Sequence, residues 1–238
     1  MTLQELENEV PKLRDYTSTM PQQLRQLAHI KIHPPGGLIH QKDYALHYLG
    51  IVAKGENRVI NEFENGKIYM IETNKAIDFI GEVTLLAHMP KTSVTIEALS
   101  ANTVIYLPRR EAEEWVNTDI HILRKMAEHA ASKLYRSSYN NGLKLYYPPI
   151  FLLADHLVRL YEQAAEDTSS EKQGLPPPFI LQKTRERLGE ELGMNIKTLD
   201  RAIHSMQKDG YFSLVKGKIR LTFEEYQRIK DYITTFKG

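Results

Sequence analysis

Cysteine is absent from the 238 residues, which excludes disulfides, thiolate-held zinc, iron–sulfur clusters, a cysteine nucleophile and thiol redox sensing. Long apolar runs are missing as well. The opening stretch, MTLQELENEVPKLRDY, is acidic and interrupted by Pro11. It has neither the apolar region of a signal peptide nor the length of a membrane span, so a cytoplasmic chain with no membrane partner is expected. Net charge is small at +1 but unevenly placed: residues 176–238 hold 12 Lys+Arg against 8 Asp+Glu, a net +4 that leaves −3 for the rest. A basic end suits a polyanionic partner. What the chain does have is the composition of an ordinary globular protein, 42% hydrophobic and 26% charged, with length enough for two modest cores.

Residues 4–30 read as one or two short helices. From Ile30 to Leu107 short β-like runs (HYLGIVA, RVINEF, KIYMIET, SVTIEAL) recur, separated by turn signals at Pro34–Gly37, Lys54–Asn57, Glu64–Lys67 and Thr73–Lys75. This spacing reads as a sandwich or barrel. Asn65-Gly66 is the strongest turn signal and predicts a type I′ hairpin. Helical periodicity then takes over with RREAEEWV after Pro108, followed by a longer helix to about Leu145. Its apolar or small positions, Ile120, Leu123, Ala127, Ala130, Leu134, Ser137 and Asn141, alternate in steps of three and four, which keeps one seam toward a partner helix. An amphipathic helix lying on its own β-domain would also produce such a stripe. Small Ala127 and Ala130 permit close helix approach and favour a dimer seam. Pro148-Pro149 ends that helix, IFLLADHLVRLYEQA forms another, and EDTSSEKQGLPPP reads as a loop. The expected division is a sensor domain over 1–117, a dimerisation helix over 118–147 and a third module over 148–238.

The most informative stretch runs from Thr184 to Met206. Thr184 can cap a first helix with Leu188 and Leu192 inward, and Gly193 can end it in a left-handed conformation. Asn195 then caps a second helix whose inward stripe is Leu199, Ala202, Ile203 and Met206. Lys197, Thr198, Arg201 and His204 stay outside. Two short helices about a Gly turn, the second basic on its outer face, predict a helix-turn-helix. YFSLV-Lys216-Gly217-KIRL predicts a basic-tipped wing, and Thr222-Phe-Glu-Glu225 is a capping box opening a final helix.

With these residues in view the chain resembles the Crp/Fnr superfamily of transcription regulators. The similarity runs from Gly36-Gly37 through Gly55, Asn65-Gly66 and Phe79-Ile80-Gly81-Glu82 to the long helix and the winged module. Among subgroups, the pattern Phe79-Ile80-Gly81-Glu82-x-x-Leu85 and the divergent recognition helix are similar to the YeiL-like regulators. The resemblance implies an α+β fold: an N-terminal cyclic-nucleotide-binding-type β-roll (jelly roll), a long dimerisation helix and a C-terminal winged helix-turn-helix. It implies a homodimer held through Ile120, Leu123, Ala127, Ala130 and Leu134. Its partners would be a double-stranded operator, RNA polymerase and a small-molecule effector that the sequence does not identify, with no cofactor.

In the family, Gly-Glu residues close the effector pocket and an Arg-Ser or Arg-Thr pair shortly afterwards holds the cyclic nucleotide's phosphate. Here Gly81 and Glu82 match, but the aligned pair is Thr92-Ser93, with Lys91 one residue earlier and so on the opposite strand face. A buried phosphate without a cation is poorly compensated. Cyclic AMP is therefore not expected to be the effector, although the Thr92 and Ser93 hydroxyls could still bond a ligand. On the DNA side the resemblance places Ile196, Lys197 and Arg201 at the reading positions, where Arg201 can donate two hydrogen bonds to a guanine edge and Lys197 can reach a base or a phosphate. It assigns phosphate contacts to Thr184, Asn195, Thr198 and Lys216. Ile196 can touch a thymine methyl or simply cover the edge of the helix pair.

Three rivals remain. A cupin-like metal-dependent enzyme would draw on His29, His33, His40 and His47, of which His29 and His33 would share a strand face. However, no His-x-His pair is followed by a suitably spaced Glu, so a non-enzyme is expected. A haem sensor would need axial ligands that the histidines permit without indicating. A ligand-independent regulator would keep the β-roll only as a scaffold.

Overall fold

Pro11 and Pro21 cut the N-terminal stretch into α1 (Leu3–Glu9), a 3₁₀ turn at Pro11–Leu13, α2 (Arg14–Thr17) and α3 (Gln22–Leu27). The expected one or two helices are thus three, because proline lacks the N–H that a helix interior needs. A capping box opens α1: Thr2 N–H donates to Glu5 at 2.7 Å, and Glu5 N–H donates to Thr2 Oγ1 at 3.2 Å. The computed structural model describes residues 1–168 and 178–237, in two units, Met1–Ser138 and Tyr139–Gly238.

In the first unit β1 (His29–His33), β2 (Leu38–His40), β3 (Tyr48–Lys54), β4 (Glu56–Glu62), β5 (Ile68–Lys75) and β6 (Asp78–Ile80) lead into α4 (Glu82–Leu86). Then come β7 (Thr95–Ala98), β8 (Asn102–Pro108), α5 (Arg109–Thr118) and α6 (Ile120–Tyr146), which runs on into the second unit. The strands pair antiparallel into two four-stranded sheets, ordered β1-β8-β3-β6 and β2-β7-β4-β5. Between the sheets lie Val52, Ile80 and Val104 of one and Ile39, Ile96 and Ala98 of the other. On the outer face of the first sheet Leu49, Ile51, Ala53, Ile105 and Leu107 meet the N-terminal helices and α5, with Trp115 and Val116, and α6 through Ile122 and Met126. Covered on both faces, β3 reads as a continuous apolar run rather than an alternating one. This is the expected jelly roll.

Two turn expectations are corrected. At Glu64–Lys67 only Gly66 has positive φ, at 74°. Gly66 N–H donates to Phe63 O at 2.9 Å and Phe63 N–H to Lys67 O at 3.0 Å, so the hairpin is a turn closed by a left-handed glycine, not a type I′ pair. Thr73-Asn74-Lys75 is no turn. It ends β5, where Asn74 pairs with Asn57 and Lys75 with Glu56 across β4.

In the second unit α7 (Pro149–Thr168) is followed by β9 (Phe179–Ile180), α8 (Arg185–Leu192), α9 (Ile196–Lys208), β10 (Ser213–Val215), β11 (Lys218–Leu221) and α10 (Phe223–Lys237). The predicted loop at EDTSSEKQGLPPP is helical as far as Thr168, because α7 continues past the last apolar residue, and residues 169–177 lie outside those described. Phe151, Leu153 and Leu157 of α7 share a core with Leu199, Ile203 and Met206 of α9, Ile219 of β11 and Ile229 of α10. β10, β11 and β9 form a small antiparallel sheet.

Candidate nucleic-acid interface and sensor pocket

The helix pair is built by its caps. Thr184 Oγ1 accepts from Arg187 N–H at 3.2 Å and Asn195 Oδ1 from Thr198 N–H at 2.9 Å, each satisfying an otherwise orphaned helix donor. Gly193 closes α8 at φ 66°, ψ 32°, a conformation in which a Cβ would be strained. Gly189 matters for another reason: a Cβ there would stand 2.8 Å from Met194 O in the turn. With Leu199, Ala202, Ile203 and Met206 buried as expected, α9 turns Ile196, Lys197, Asp200, Arg201 and His204 outward, and Thr198 is half-buried. Beside it β10 and β11 meet at Lys216 (φ 48°) and Gly217 (φ 76°), the two left-handed residues of a type I′ turn, with Lys216 exposed at its tip.

Two features here escaped the sequence. Arg185, at the start of α8, donates from a terminal nitrogen to Gly217 O in the wing turn at 3.2 Å, and its Nε lies 3.5 Å from Asp200 Oδ1. One guanidinium thus ties wing, first helix and recognition helix together. Under α8, Glu191 is buried and takes His156 Nε2–H at 2.8 Å and Lys183 Nζ at 2.7 Å. Burial alone would raise its carboxyl, but the His156 bond and the Lys183 charge hold it down to about 2.

In the sensor, Gly81 sits at φ 87° with its missing Cβ facing Leu46 Cδ2 at 2.7 Å, and it leads directly into α4. Glu82 begins that helix and is buried, but its carboxylate is not open to a guest. Lys133 of α6 places Nζ 2.7 Å from Glu82 Oε1 and 2.8 Å from Asp78 Oδ2. The other Asp78 oxygen accepts from His129 Nδ1–H at 2.8 Å, and His129 Nε2 meets the Tyr16 hydroxyl at 3.0 Å. One ammonium shared by two buried carboxylates leaves them unequal. Burial raises the Glu82 carboxyl and Lys133 only partly offsets it. The same burial acts on Asp78 and is outweighed by His129 and Lys133, so Asp78 is held low. Burial also acts against the Lys133 ammonium, but its two carboxylates prevail and raise it. A polar cleft of about 420 Å³ opens beside this cluster, with Asn74, Lys75, Glu128 and Arg136 in its walls.

Thr92 and Ser93 are not brought together. Thr92 is buried, with its hydroxyl shared between Gln41 O at 3.3 Å and Val94 O at 3.2 Å, whereas Lys91 and Ser93 are exposed on either side. Of the two hydroxyls that could have bonded a ligand, that of Thr92 is thus spent on backbone carbonyls in the irregular segment before β7, and only Ser93 faces outward. Nor do the histidines converge. His33 bonds Tyr106 at 2.7 Å, His40 bonds Tyr48 at 2.9 Å, and His29 and His47 are exposed.

Residues 31–119 match the family model of the cyclic nucleotide-binding domain. Over 192 residues the chain is 24% identical to the cAMP-activated global transcriptional regulator CRP of Salmonella typhimurium, covering 79% of this chain and 87% of that protein. The chain thus holds a cyclic nucleotide-binding domain and is similar over most of its length to a CRP regulator. Its fold superposes on a transcriptional regulator of the Crp/Fnr family from Eubacterium rectale with a TM-score of 0.74, over 96% of this chain and 100% of that one, at 17% identity. It also superposes on the c-di-GMP responsive global regulator CLP of Xanthomonas campestris with a TM-score of 0.69, over 86% and 98%, at 16% identity.

Proposed function

We propose that this chain is a Crp/Fnr-type regulator, a homodimer that binds a roughly palindromic operator in a sequence-specific way and acts through RNA polymerase. The observation that carries this reading is α9: an Asn195-capped helix with Lys197 and Arg201 on its open face beside an exposed Lys216 at the wing tip. Such a rod fits the major groove, where Arg201 can donate two hydrogen bonds to a guanine edge and Lys197 reaches a base or phosphate. Ile196 is 44% exposed, which favours contact with a thymine methyl over burial at the helix edge. Thr184, Asn195, Thr198 and Lys216 set register on phosphates; the caps occupy one oxygen each of Thr184 and Asn195 and leave the hydroxyl proton and amide protons to donate. The functional division is a sensor over 1–117, a dimerisation helix over 118–147 and a DNA-binding module over 148–238. Along α6, Ile122 and Met126 are spent on the β-roll and half-exposed Leu123 packs partly against it, while Ile120, Ala127 and Leu134 stay exposed and Ala130 is half-exposed. Those five are the seam.

The test is fluorescence anisotropy of the full chain against duplexes enriched from a random library, with salt varied. Binding at dimer stoichiometry that weakens steeply with salt is expected. A monomer that ignores duplexes at low ionic strength overturns the proposal.

A second reading, regulation without a ligand, is favoured by one observation: Glu82 is already engaged by Lys133. Around Gly81, Glu82, Thr92 and Ser93 the nearby cations among the described residues are engaged or turned out: Lys133 is shared by two carboxylates, Arg109 is held by Glu113 and by backbone carbonyls, and Lys91 is exposed. Cyclic AMP is accordingly not the effector, and calorimetric titration should record no micromolar binding; heat at that affinity overturns this.

A further inference from the structure

We infer that Asp200 reads a cytosine amino group, so that each operator half-site carries a C·G pair beside the base contacted by Arg201. This rests on the DNA-binding reading above and refines its target. Asp200 is the single acid in α9, and it lies on the open face among Ile196, Lys197, Arg201 and His204. A carboxylate carried into a groove lined by phosphates weakens binding to every duplex through like-charge repulsion, unless a donor meets it. The major groove offers two such donors, the amino groups of cytosine and adenine. Adenine sets the N7 acceptor beside its amino group, which repels a second carboxylate oxygen; cytosine has no acceptor there.

The side chain is also held for the task. Arg185 stands 3.5 Å from Asp200 Oδ1 and is itself anchored on Gly217 O of the wing turn at 3.2 Å. Among the described residues Oδ2 carries no bond, so one oxygen is steadied and the other is available. Asp200 and Arg201 are consecutive, roughly 100° apart around the helix, so they address neighbouring bases rather than one.

The experiment is selection from a random duplex library by the full-length protein, by Asp200→Asn and by Asp200→Ala, with circular dichroism confirming that both variants keep their helices. The wild type should enrich a half-site with cytosine preferred on the order of tenfold at one position next to a guanine. Asp200→Ala should lose the cytosine and keep the guanine. Asp200→Asn should move the same position toward adenine, whose amino group and N7 suit a carboxamide. If both variants return the wild-type half-site, Asp200 only holds Arg185 and the inference falls while DNA reading stands. If the wild type enriches no motif, the DNA reading itself fails and takes the inference with it.

Discussion

Single residues show where charge has been placed deliberately. Lys133 serves two buried carboxylates, so Lys133→Met strands Asp78 and should destabilise the first unit by about 3 kcal/mol, the usual scale for breaking a buried pair. Glu82→Gln should cost less, about 1 kcal/mol, because burial already raises the Glu82 carboxyl and a carboxamide oxygen can still accept from Lys133. Trp115, the one tryptophan in the chain, lies in the core of this unit, so urea unfolding followed by its fluorescence measures both; equal losses would contradict the shared-ammonium account. In the second unit acid is the probe. Glu191 is held near 2 against an ordinary 4.5, so its contribution of about 3 kcal/mol is complete above pH 4.5 and lost as pH falls toward 2. His156 is buried and its protonation is disfavoured, so the unfolded chain takes up that proton first and loss begins below about pH 6.5. Denaturant titrations across this range should show stability falling in both windows, and Glu191→Gln should flatten the lower one. At the DNA face, Arg201→Ala should cost about 1–3 kcal/mol at one base pair per half-site, whereas Lys216→Ala should weaken all duplexes alike. Equal losses for Arg201→Ala on selected and random DNA would remove its assigned role.

At the level of elements, what was legible followed from local chemistry. The caps at Thr184, Asn195 and Thr222, the left-handed Gly193, the wing turn at Lys216-Gly217 and the helix α5 after Pro108 depend on a few neighbouring residues, and the structure has them where the pattern put them. Partners distant in the chain were not legible. Nothing local links Lys133 to Glu82 or Arg185 to Gly217, and the failure of Thr92 and Ser93 to face one ligand depends on an irregular backbone that alignment to a family does not describe. Gly189 belongs with the second group, since its need is set by Met194 across the turn. Alanine there would gain about 1 kcal/mol of helix propensity. Its Cβ, however, would press on a backbone oxygen fixed by Gly193 and the Asn195 cap, at about 1–3 kcal/mol for overpacking. The clash should win: Gly189→Ala is expected to lower the melting of the second unit by circular dichroism and to leave the Trp115 transition unmoved.

For the molecule as a whole, everything proposed about operators depends on pairing. Two recognition helices can reach successive major grooves only if two chains hold them about one helical turn apart, roughly 34 Å. The helix that would hold them has already divided its faces. Ile122, Met126 and Lys133 are committed to the β-roll, while Ile120 is 73% exposed and Leu134 68% exposed. Leu134→Glu therefore disturbs little within a protomer and should leave urea unfolding of an isolated protomer within about 0.5 kcal/mol. In a symmetric pair the same change sets two carboxylates across one seam, because an isologous interface repeats every substitution. Sedimentation velocity should then show dimers giving way to monomers at micromolar protein. Affinity for the selected operator should fall by orders of magnitude, since a lone protomer engages one half-site without its tethered partner. A Leu134→Glu protein that sediments as a dimer and keeps its operator affinity would move the pairing surface away from α6.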